Sequence, residues 1–244
     1  MAARMALQIR EPWRLPGLEI ALPTVPLGKD WLWGRVMPPP PEIAAHVQRG
    51  GLQFTHARDA DAALFAVAAA LIAEVPSLAA IVDTRVRSVH LLKADPCYDV
   101  SHSEPQWADR IFVSVPERSD HVGALRLAEG VIHEALHLHL TELEEIAPLV
   151  ADLTGTLTSP WRPELRSYGG VLHGSFVFAC LKEYFAALPE HSDSATRRHL
   201  RQRRSEIGAE LSEIDLAILK SGLTERGTAL LSRLVGYPPY ERLH

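Results

Sequence analysis

Proline placement constrains this chain more than any other feature. A proline ring lacks the amide hydrogen that a helix interior requires and clashes with the preceding turn, so each one ends a helix, opens one or marks a loop. The 244 residues contain 18 prolines, and Pro12, Pro16, Pro23, Pro26 and Pro38 to Pro41 crowd into the first 41. Together with Trp13, Trp31 and Trp33 they predict an extended N-terminal arm over residues 1–50, with a short helix at 42–49 and the tryptophans anchoring it on the body. A peptide-docking surface is the alternative use of such an arm. Residues 51–244 then form the main domain, which carries the chemistry.

The later prolines punctuate that domain. Asp59 to Glu74 is alanine-rich, has Leu64, Val67, Leu71 and Ile72 at helical spacing, and stops short of Pro76, which predicts a helix. Val86, Val89 and Leu91 alternate with polar neighbours and predict a strand over 85–92. Ile111 to Val115, closed by Pro116, predicts a second strand, and the polar stretch 99–105 between them a loop. A long helix follows. Ser119 and Asp120 are good N-cap types, and the run reaches about Glu145 before Pro148. Pro160 and Pro163 predict a loop over 151–168. A second apolar helix runs from about Gly170 to Leu188 and stops at Pro189, and amphipathic helices follow at about 195–219 and 224–235. This order predicts an α+β fold, predominantly helical, with a small sheet preceding the long helix.

With 47% hydrophobic and 23% charged residues, the chain can bury a sizeable core without staples. The net charge of -5 gives no support for a nucleic-acid partner, which usually meets a basic face. The one basic run, Arg197 to Arg204, is expected to be the solvated side of a helix. Cys97 and Cys180 are too few and too far apart for a disulfide framework, and Cys180 is expected to be a buried free thiol. No stretch is long and apolar enough for a bilayer, and the first residues lack the apolar core of a signal peptide, so a cytoplasmic protein is expected, with no membrane partner.

Histidine is over-represented, with 12 copies. Two of them, His133 and His137, lie four apart in His133-Glu134-Ala135-Leu136-His137 on the long helix. Four helical residues turn about 400°, so the two imidazoles share a face and can reach one ion at about 2.0–2.1 Å each. Glu134 lies about 100° round the helix, the offset at which metallopeptidases place a general base. His139 is two residues beyond His137 and faces away. A third ligand is needed. His173, at the start of the next apolar helix and followed by Gly174, which permits close approach, is the best candidate. Glu183, and His102 or Asp99 in the 99–105 loop, are rivals. Arg162 and Arg166 precede that helix and suit a bidentate carboxylate clamp, or a surface salt bridge.

Three segments in order, Ala128 to His137, Ser159 to Pro163 and Gly170 to Gly174, resemble the HExxH-type peptide β-hydroxylases associated with ribosomally made peptide natural products. The 99–103 loop and the 111–116 strand are similar to that group as well, and the resemblance covers roughly residues 85–190. It implies an Fe(II)- and 2-oxoglutarate-dependent dioxygenase. Such an enzyme uses O₂ to hydroxylate a side-chain Cβ of a precursor peptide while 2-oxoglutarate is converted to succinate. In that scheme His133, His137 and His173 hold iron, and Arg162 or Arg166 anchors the distal carboxylate of 2-oxoglutarate. Glu134 has no water to activate and orients a ligand or bound water instead. Three histidines depart from the usual two-histidine, one-carboxylate set of such oxygenases. A zinc peptidase with Glu134 as general base, and a non-catalytic peptide-binding protein, are the alternatives.

Overall fold

A computed structural model describes Pro12, Gly28 and residues 30–94, 98–189 and 193–235. Most of the proline-rich arm, including Trp13, and Cys97 lie outside the described residues. In chain order the elements are α1 (Pro41–Arg49), β1 (Gln53–Phe54), α2 (Asp59–Ala73), α3 (Pro76–Arg85), β2 (Ser88–Lys93), β3 (Ser101–His102), β4 (Arg110–Ser114), α4 (His121–Ile146), β5 (Thr156–Ser159), β6 (Arg162–Ser167), α5 (Tyr168–Ala187), α6 (Ser194–Ser212), α7 (Leu216–Ser221) and α8 (Glu225–Val235). The fold is α+β and predominantly helical.

One sheet runs in the order β1-β2-β4-β3, with β2 and β4 parallel and both outer strands antiparallel to their neighbours. Strand side chains alternate between faces, and here each face has its own cover. Val89, Leu91, Ile111 and Val113 point into the main core, which they share with α2, α3, α4 and α5. Leu92 and Phe112 point the other way, onto Ile43 and Val47 of α1. The described part of the arm therefore packs as part of the body, and Leu32, between Trp31 and Trp33, is fully buried.

α4 is the axis. Asp120 caps it by accepting from the Gly123 amide at 3.0 Å, and Ala124, Leu125, Ala128, Ile132 and Leu136 are fully buried along it. α5 starts on a Ser167 cap, whose hydroxyl accepts from the Gly170 amide at 3.1 Å. α5 runs antiparallel to α4, because His173 meets His137 and Glu144 while Phe178 meets His133.

Four expectations need correction. Pro76 does not merely close a helix; it opens α3 as a first-turn proline, where its missing amide costs nothing. The 99–105 segment contains the edge strand β3 and a short 3-10 turn at Pro105–Trp107. Residues 151–168 are not a loop but contain an antiparallel hairpin, with Leu157 opposite Arg166 and Ser159 opposite Arg162. Pro163 is tolerated because β6 pairs on one side only, leaving an edge that asks for no amide. The helix expected at 195–219 breaks into α6 and α7, where Asp215 caps a new start by accepting from the Ala217 and Ile218 amides.

Candidate metal centre and its cleft

Helical spacing brings the two motif imidazoles together as expected. Nε2 of His133 and Nε2 of His137 are 3.2 Å apart. Two nitrogens bound to one ion at about 2.0–2.1 Å, at an angle between a right angle and tetrahedral, stand about 3.0–3.4 Å apart, so this edge fits a shared ion. Both rings are held neutral, the form that ligates. Burial pushes His133 down to about 4, helped by the fields of Arg203 and Arg162. Burial pushes His137 down to about 3, with His133, His173 and Arg166 adding to it and Glu134 opposing.

His173 joins the group from α5 on the other side of His137. The two rings stack at 5.5 Å with 13° between planes, and their Nδ1 atoms are 3.2 Å apart. His173 Nε2 is 2.9 Å from Glu144 Oε2, a carboxylate partner of the kind that fixes the ring and tautomer of a ligating histidine. His137 thus presents one nitrogen to each neighbour. Among the described residues, no group of three His, Cys, Asp or Glu side chains converges on one ion position. The motif pair fits an ion; His173 stands beside it, not opposite the same point.

Glu134 is almost fully buried and each of its oxygens accepts a hydrogen bond. Ser101 Oγ donates to Oε1 and Ser103 Oγ donates to Oε2, each at 2.5 Å, and Oε1 lies 3.9 Å from His133 Nε2. The carboxylate therefore ties α4 to the edge strand β3. Arg162 and Arg166 lie on the exposed strand β6. A register shift lies between them, and the charge of each is felt by one ring of the pair, Arg162 by His133 and Arg166 by His137.

The rival ligands are engaged elsewhere. His102 is 3.0 Å from Glu104, and Asp99 accepts from Arg126 at 2.6 Å. Glu183 lies on α5 ten residues beyond His173, and among the described residues it does not join a group around the pair. His139 is buried on another side of α4.

A cleft of about 950 Å³ opens beside the pair, bounded by the edge-strand segment 98–101, α4 and α6, with His133 and Phe178 in its wall. The basic run needs correction here. It is helical, but Arg203 turns inward and donates to Glu129 at 2.7 Å, one helical turn before His133. Arg203 also lies 5.7 Å over the Phe178 ring, and Phe178 sits edge-on to His133 at 5.3 Å. Burial pushes the Glu129 carboxyl up, and Arg203 draws it back. The role expected for Gly174 changes too. A Cβ there would stand 2.4 Å from the Trp161 ring, so the close approach is made by the hairpin tip and not by α4.

Ser101, Ser103, Glu144, Arg203 and Trp161 were not identified from the sequence as supporting residues. Glu144 had a legible signal, since it follows His137 by seven residues and two full turns bring it to the same face. The serines and Trp161 had none, because their partners lie across the fold. No helix among the described residues is long and apolar enough to cross a membrane. Compared with known proteins, the chain matches no family model and no curated protein.

Proposed function

We propose that this chain is an Fe(II)- and 2-oxoglutarate-dependent dioxygenase of the cytoplasm that hydroxylates a residue of a ribosomally made precursor peptide. The observation that carries this reading is a neutral histidine pair with Nε2 atoms 3.2 Å apart, within electrostatic reach of two arginines of the exposed strand β6. A metal alone does not need such arginines; a dianionic 2-oxo acid bound next to the metal does. His133 and His137 would hold the ion, and His173, kept in place by Glu144, is the nearest third histidine. Iron, when bound, supplies the activation of O₂. Arg162 or Arg166 binds the distal carboxylate, Glu134 holds the β3 edge against α4, and the cleft beside His133 receives the peptide.

A zinc peptidase would use the same pair, but the state of Glu134 favours the oxygenase. A general base needs an oxygen directed at water, whereas Glu134 is almost fully buried and each oxygen accepts from a serine hydroxyl. The test is direct. Protein supplied with Fe(II), 2-oxoglutarate, O₂ and a precursor peptide should give succinate and a peptide heavier by one oxygen. A cut backbone with zinc and no 2-oxoglutarate consumption would transfer the case to the peptidase.

A further inference from the structure

We propose that Trp161 is a positioning residue, a latch that holds the β5–β6 hairpin, and with it Arg162, against the Phe178 wall beside His133. The hairpin needs one. An isolated two-stranded ribbon is marginal in water, and every residue of β6 is exposed. Leu157 is the one buried side chain of β5. At the tip, Trp161 makes three separate attachments. Its ring stacks on Phe178 at 4.8 Å with 18° between planes. Its Nε1 donates to Glu210 Oε2 of α6 at 3.1 Å. Its six-membered ring lies in the hollow over Gly174, where an added Cβ would meet ring carbons at 2.4 and 2.6 Å. Phe178 in turn sits on His133, so the latch is seated on the wall of the centre. Arg162 is the very next residue, and its freedom is set by how firmly the tip is held.

This inference rests on the reading that the hairpin arginines bind a 2-oxo acid, and the experiment separates the two. Gly174→Ala places a methyl where the ring lies and alters no functional group. Hydrogen exchange of the 156–167 segment and 2-oxoglutarate binding to the Co(II)-loaded protein are measured in the original protein and the variant, with Co(II) affinity as the control. The expected result is exchange in 156–167 faster by roughly tenfold and 2-oxoglutarate binding weaker by roughly tenfold, with exchange in β2 and β4 and Co(II) affinity unchanged. Arg162→Ala should weaken 2-oxoglutarate binding without loosening the hairpin. Unchanged exchange in 156–167 overturns the latch. Faster exchange with unchanged 2-oxoglutarate affinity overturns its positioning role. Faster exchange in a protein whose original form binds no 2-oxoglutarate overturns the oxygenase reading and supports the latch. Should Gly174→Ala fail to fold, Trp161→Phe keeps a ring on Phe178, removes the bond to Glu210, and tests the same exchange.

Discussion

Two histidine sites, one on the sheet and one on the helices, spend their ring nitrogens differently. On the sheet, His90 of β2 is fully buried; its Nδ1 is 2.8 Å from the Met37 carbonyl oxygen and its Nε2 is 3.2 Å from Ser88 Oγ. Each nitrogen has a fixed partner, and the ring fills the space against Phe112. On the helices, His133 and His137 turn nitrogens toward one another, beside a cleft. Desolvation pushes the histidine pKa down at both sites, so a lowered pKa does not tell structure from function. What distinguishes them is the kind of partner: the His90 nitrogens meet a carbonyl and a hydroxyl, whereas the His137 nitrogens meet two other imidazoles. On the proposed function, the second arrangement is the one that an ion would take over.

The sharpest way to break this comparison is to remove a nitrogen from each site. His133→Ala or His137→Ala should weaken Fe(II) or Co(II) binding by more than about 100-fold, beyond the 10–100-fold typical of an outer-shell loss, as read by metal titration. His90→Ala should leave that affinity unchanged and lower stability by about 2–4 kcal/mol in urea unfolding, through the cavity and the polar groups left behind. If His90→Ala depletes metal as strongly as His137→Ala, the two sites are not different in kind. Glu144→Ala sharpens the helix side. It should weaken metal binding about tenfold by freeing the His173 ring, and a titration with no change would confine His173 to packing.

The smallest effect is on pH dependence. Burial lowers His90 in the folded state, so below the ordinary histidine value of about 6.5 the unfolded chain takes up a proton that the folded chain refuses. Stability therefore falls as pH falls through that range. His90→Phe should flatten the slope of stability against pH without abolishing it, because the lowered His133 and His137 contribute with the same sign. An identical slope in the variant would mean that His90 is not titrating in the unfolded chain alone.

Local signals reached the helices and the motif pair, and long-range signals did not reach their supports. The stripe of Leu125, Ala128, Ile132 and Leu136 and the Asp120 cap made α4 legible, and the four-residue spacing made the imidazole pair legible. The hairpin was hidden because Pro160 and Pro163 argue against regular structure, and only the one-sided pairing of β6 excuses them. Arg203 was hidden in a run of like charges; nothing local says which member of that run turns inward to meet Glu129. Ser101 opens an edge strand of two residues, too short to show a period, Ser103 follows just past its end, and their partner Glu134 lies over 30 residues on.

The antiparallel pairing of α4 with α5 has a last consequence. Adjacent antiparallel helices need only about 2–8 residues to reverse direction, yet here the chain leaves at Ile146 and returns at Tyr168 by way of the hairpin. Most of that excursion is surplus to joining the helices. On the proposed function, the histidine pair and the arginines therefore come from different stretches of chain, and a different insert between the same two helices would change the partner offered to the pair.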